Sequence, residues 1–144
     1  MKIEDQSKSI FRNLIAYEQY SQNNHLKLRH ILCDLLVLFH QLSKVLRTKE
    51  KQVAWVKVHL GNPLSHLGSP HPGVMSCQIT LVTAYTREKI GTKDIQKGLT
   101  ILMKILQFLQ HSLLINSWNL FILHVSRRLA SYQYEHHIST TLYS

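Results

Sequence analysis

Two apolar stripes with a seven-residue period constrain this chain more than any other feature. The residues of the first are spaced alternately four and three positions apart: Leu28, Leu32, Leu35, Phe39, Leu42 and Leu46. The second repeats that spacing: Ile95, Leu99, Leu102, Leu106, Leu109 and Leu113. Because an α-helix returns to the same face every three to four residues, each stripe predicts one amphipathic helix. Additional apolar residues widen the first stripe, and a wide stripe favours a bundle over a two-stranded coiled coil.

Shorter apolar patterns predict two further helices, over residues 7–20 and 118–132. The long helices are expected over 25–49, with Asn23 or Asn24 as N-cap, and over 94–114, with Thr92 or Asp94 as N-cap. Ser7 or Ser9 is expected to cap the first helix. We therefore expect a mostly α fold, an irregular bundle of about four helices.

The middle of the chain has a different pattern. Apolar and polar residues alternate in 53–60 and again in 74–85, and a period of two favours strands. The segment 61–73 contains all three prolines and predicts a loop. A short β-hairpin at 53–85 is therefore expected, with a helical 53–60 as the alternative. The 144 residues form a single domain in this interpretation, with helical parts at 7–51 and 94–132 and a disordered tail at 134–144.

The sequence lacks the short motifs of common enzymes. It contains no HExxH, GxSxG, P-loop or GxGxxG motif, and its eight acidic residues are scattered. Its ten histidines lack metal-ligand spacing, and Cys33 and Cys77 form no CxxC pair. Cys33 lies in an apolar run and is predicted to be buried and inert. We expect a non-catalytic protein with no cofactor and no metal site.

The charge balance is basic, with a formal net charge of +9. The densest basic run contains Lys44, Arg47, Lys49, Lys51 and Lys57, and a second cluster contains Arg127 and Arg128. Such clusters bind phosphate backbones without reading base sequence. Nucleic-acid association is therefore the alternative function, and anion binding is expected to tighten on acidification as histidines gain charge.

A third alternative is membrane association through residues 99–129. Residues 105–126 carry no formal charge and are long enough to span a bilayer. Nine of these 22 residues are polar, however, and this content favours an amphipathic core or interfacial helix.

The function that the sequence favours is that of a helical protein–protein interaction module. The partner is expected to contact the first stripe (28–46), the second stripe (95–113) or the basic end of the second helix. The polar start of the sequence resembles no signal peptide and no N-glycosylation acceptor is present, so we expect an intracellular protein, cytoplasmic or nuclear.

Overall fold

The computed structural model describes residues 2–47, 74–125 and 127–128. These residues form five helices and no strand. The helices are α1 (Ile3–Tyr20), α2 (His25–Arg47), α3 (Val74–Arg87), α4 (Lys93–His111) and α5 (Leu114–Val125). The predicted mostly α bundle is confirmed, with five helices rather than about four. The predictions for 53–60, for the loop 61–73 and for the tail 134–144 lie outside the described residues.

Both apolar stripes lie in the core. Helix α1 packs against α2 and α4, and α3 packs against α4. The first stripe is buried from Leu28 to Phe39 and at Leu42, while the side chain of Leu46 lies outside the described residues. The second stripe is buried from Ile95 to Leu109. The apolar spacing therefore predicted the buried residues correctly over most of each stripe.

The second stripe fails at its last residue, because Leu113 is 92% exposed. Helix α4 ends at His111, three residues before the predicted end, and α5 begins at Leu114 rather than at Trp118. At the break the Ser112 hydroxyl accepts a hydrogen bond from the Leu114 amide at 3.1 Å. The axes of α4 and α5 then differ by 107°, so Leu113 no longer continues the stripe of α4.

The predicted strand at 74–85 is wrong, since these residues lie in α3. The buried positions Met75, Gln78, Leu81, Val82 and Tyr85 follow helical spacing and face the core. The threonines that favoured a strand are accommodated because their hydroxyls bond within the helix. Thr80, Thr83 and Thr86 each donate to the carbonyl oxygen four residues earlier, at 2.7–2.8 Å. Packing has thus overridden the β propensity of this segment.

The first turn of α1 is capped from another helix, and not by Ser7 or Ser9. The amides of Ile3 and Glu4 donate to the Asp94 carboxylate, at 3.0 and 3.1 Å. Ser7 is buried inside α1 and donates to the Ile3 carbonyl. Helix α1 approaches α4 so closely here that a β-carbon added at Gly98 would clash with the Ile3 side chain. The N-terminal ends of α1 and α4 are therefore held together by the hydrogen bonds to Asp94 and by the close packing at Gly98.

The N-cap predictions for the long helices are confirmed. The Asn24 side chain accepts from the Lys27 amide at 3.0 Å at the start of α2. The Thr92 hydroxyl accepts from the Ile95 amide at 3.4 Å at the start of α4. In both cases a short polar side chain satisfies a backbone donor of the first turn that has no partner within the helix.

Helix α3 ends in a Schellman motif with a lysine in the left-handed region. The Ile90 amide donates to the Tyr85 carbonyl and the Lys89 amide to the Thr86 carbonyl, while Lys89 has a φ of 53°. Lys89→Gly is expected to raise the free energy of unfolding by about 0.5–1 kcal/mol, because glycine adopts this conformation without a β-carbon penalty. Urea denaturation followed by circular dichroism measures the change. Glu88→Gly is the control and should lower stability; a similar loss in Lys89→Gly would contradict the prediction.

Candidate functional site

The residues predicted to contact a partner are mostly part of the core. Leu35, Phe39 and Leu42 are buried and face other helices of the same chain. The first two residues of the stripe, Leu28 and Leu32, also line a surface depression. The candidate site therefore lies at the N-terminal end of the predicted stripe and not at its centre.

A depression of about 260 Å³ separates α2 from α5, and we call it the α2–α5 groove. Its lining residues follow one rule, since each helix contributes positions i, i+3, i+4 and i+7: His25, Leu28, Arg29 and Leu32 from α2, and Ser117, Leu120, Phe121 and His124 from α5. This spacing places four side chains of each helix on one face. The groove is thus a direct product of two facing helical surfaces.

The floor of the α2–α5 groove is apolar. Leu28 and Leu32 are buried beneath it, and Phe121 is half-buried with its ring stacked on Trp118 at a centroid distance of 6.0 Å. On the rim, Leu120 is 68% exposed. The floor is therefore continuous with the core, while the Leu120 side chain on the rim is exposed to solvent.

A second depression of about 280 Å³ adjoins the first and shares His25, Leu28 and Ser117 with it. It extends past the junction of α1 and α2, where Glu18 and Gln22 line it, to the exposed Leu113. The Tyr17 hydroxyl donates to the Gln22 carbonyl at 2.8 Å and holds this junction. We call the two depressions together the extended groove; each half carries one exposed leucine.

The extended groove is electrically polarised. In the α2–α5 half, the described lining residues include His25, Arg29 and His124 and no acid. At the other end lies Glu18, whose Oε2 atom is buried and has no hydrogen-bond partner among the described residues. One end can therefore attract carboxylates, and the other end offers an unsatisfied acceptor.

The predicted basic residues are brought together only in part. Arg127 and Arg128 are helical and exposed, and they follow His124 in sequence by three and four positions. Lys44 is exposed on α2, and the side chain of Arg47 lies outside the described residues. Lys49, Lys51 and Lys57 also lie outside them. Neither basic cluster is among the described lining residues of the groove, and the binding role of both stays a prediction.

The sequence analysis did not single out Leu120, placed Leu113 on a stripe expected to pack in the core or on a partner, and predicted a buried thiol at Cys33. Leu120 falls off the core stripe of α5, marked by the buried Trp118 and Ile122, and this was the available signal for the rim. Leu113 lies just before α5 and continued the stripe of α4 in the sequence. Cys33 is exposed and free, so the prediction of a buried thiol is wrong. Its position on α2 differs by one residue from the buried Leu32, and a one-residue step turns a helix by about 100°.

The described part of the chain has neither a cluster of metal ligands nor a single helix of membrane-spanning length and hydropathy. No group of three His, Cys, Asp or Glu residues there could hold a metal ion. No single helix there is long and apolar enough to cross a bilayer; α4 and α5 pass that test only as a pair, with the 107° bend between them.

The sequence matches no protein-family model, and comparison with curated proteins and with solved structures finds no significant match.

Proposed function

We propose that this chain is a non-catalytic protein-binding module that receives an amphipathic segment of a partner protein in the extended groove. The observation that carries the proposal is the pair of exposed leucines, Leu113 and Leu120, beside an apolar floor, in a chain whose two stripes are otherwise buried at their described positions. Burying apolar surface is favourable by about 25 cal/mol per Å². A contiguous exposed apolar patch with a polar rim is typical of interaction sites, and the two leucines line adjoining depressions.

The grooved geometry supports a protein partner over the nucleic-acid alternative. Nucleic-acid binding depends on cations that contact phosphates, and the groove is instead floored by Leu28, Leu32 and Phe121. Arg127 and Arg128 are exposed and remain available for phosphate contacts. The two functions differ in salt dependence, since phosphate binding weakens steeply with salt and apolar burial does not.

The test is selection of binders from a random peptide library displayed on phage, with the full chain as target. Selected peptides should bind Leu120→Ser at least about tenfold more weakly, because burial of one leucine contributes about 1.5–3 kcal/mol. Leu26→Ser is the matched control: Leu26 is 63% exposed but does not line the groove, so affinity should not change.

Two results would overturn the proposal: no peptide enriched on the folded chain, or peptides whose affinity is the same for Leu120→Ser and the wild type. Circular dichroism of each variant confirms that the fold is retained, as expected for substitutions at exposed positions.

A further inference from the structure

We infer that the partner segment is an acidic amphipathic helix, and that it lies in the extended groove with its N-terminal turn at Glu18 and its C-terminal turn at His124. This inference rests on the proposed function and adds the chemistry and the direction of the bound segment. It is carried by the polarity of the groove and by the placement of its two exposed leucines.

The acidic character follows from the α2–α5 half of the groove. His25 and Arg29 lie on one wall and His124 on the other. The exposed Arg127 and Arg128 follow His124 in sequence by three and four positions. The described lining residues of this half include no carboxylate that could neutralise these groups. A segment with carboxylates beside its apolar residues complements this surface, and a basic segment is repelled by it.

The direction follows from the unsatisfied acceptor at the other end. Glu18 Oε2 is buried and has no donor among the described residues. The first turn of a helix presents backbone N–H groups without intrahelical partners and carries partial positive charge. The last turn carries partial negative charge, which suits the half of the groove that the Arg29 guanidinium lines. A helix in this direction places its free N–H groups at Glu18 Oε2 and its C-terminal carbonyl groups in the basic half of the groove. The reverse direction makes neither of these pairings.

The apolar contacts favour a helical occupant. One exposed leucine stands in each half of the groove, Leu113 beside Glu18 and Leu120 beside His124. An amphipathic helix presents apolar side chains at i, i+3, i+4 and i+7, so a single face can contact both leucines while its flanks carry the charges.

The charge is tested with two synthetic peptides that share one leucine pattern at i, i+3, i+4 and i+7. Their polar positions are glutamate in one and glutamine in the other. Fluorescence anisotropy at low salt should show the glutamate peptide binding about tenfold more tightly. Arg29→Gln should reduce that ratio, whereas Arg12→Gln, an exposed arginine of α1 away from the groove, should not.

The outcomes separate this inference from the proposed function. Equal binding of the two peptides overturns the acidic partner, and so does failure of the glutamate peptide when the library has yielded Leu120-dependent binders. Displacement of the glutamate peptide from the groove by a single-stranded oligonucleotide, with a steep salt dependence, would also overturn it in favour of nucleic acid. Absence of any Leu120-dependent binder overturns the proposed function itself.

The direction is tested with a nitroxide attached to either end of the glutamate peptide. An N-terminal nitroxide should broaden the amide signals of Gln22 and Asn23 in the bound protein, and a C-terminal nitroxide those of His124 and Val125. The opposite assignment, or equal broadening at both ends from either label, would overturn the proposed direction.

Discussion

Leu35→Lys is expected to abolish the cooperative unfolding transition, whereas Val37→Lys, two positions along the same helix, is expected to leave it nearly unchanged. Leu35 is fully buried in α2, and Val37 is 53% exposed. Removing a lysine ammonium from water costs several kcal/mol when no partner is available. Because the free energy of unfolding of a domain is about 5–15 kcal/mol in total, one such change is enough to unfold it.

Thermal and urea denaturation followed by far-UV circular dichroism measure this difference. Leu35→Met serves as the second control, because it keeps the apolar character and nearly the volume of the side chain; it should cost less than about 1.5 kcal/mol. A Leu35→Lys protein that melts like the wild type would mean that the stripe is not core. If Leu35→Lys is unfolded as expected, its loss of peptide binding reflects the lost fold, so the binding role is tested at the exposed Leu120.

The core was predictable because it rests on periodicity. The spacing from Leu28 to Leu42 and from Ile95 to Leu109 needs no knowledge of the rest of the chain to indicate a buried face. The segment 74–85 carries two patterns at once, an alternation of apolar residues and a helical set that includes Gln78. Choosing between them required knowing that α4 offers a surface on which a helix can pack.

Features that join distant parts of the chain were not predictable. The cap of α1 comes from Asp94, which is 91 residues away from Ile3, and no local pattern marks that pairing. The groove has the same origin. Each wall has the i, i+3, i+4, i+7 pattern, but it mixes polar and apolar residues and is typical of a half-solvated helix face. The two helix faces form a groove only because the fold brings α2 and α5 side by side.

Trp118→Ala is expected to lower the free energy of unfolding by about 3–5 kcal/mol, the usual cost of truncating a buried tryptophan. The ring is fully buried, and it stacks on Phe39 and Phe121 at centroid distances of 6.4 and 6.0 Å. Its Nε1 donates to Gln78 Oε1 at 3.0 Å and so links α5 to α3. The variant loses this bond, the stacking and the support under Phe121, so peptide affinity for the groove should fall as well. Urea denaturation and fluorescence anisotropy measure the two effects.

Two further variants separate the hydrogen bond of Trp118 from its packing. Trp118→Phe retains an aromatic ring but leaves Gln78 Oε1 buried without its indole donor, which adds about 1–3 kcal/mol to the cost of the smaller ring. Adding Gln78→Leu removes that buried polar group and should recover part of the loss, because replacing both partners by apolar groups is nearly neutral. A double variant less stable than Trp118→Phe would show that Gln78 stabilises the core through contacts other than the bond to Trp118.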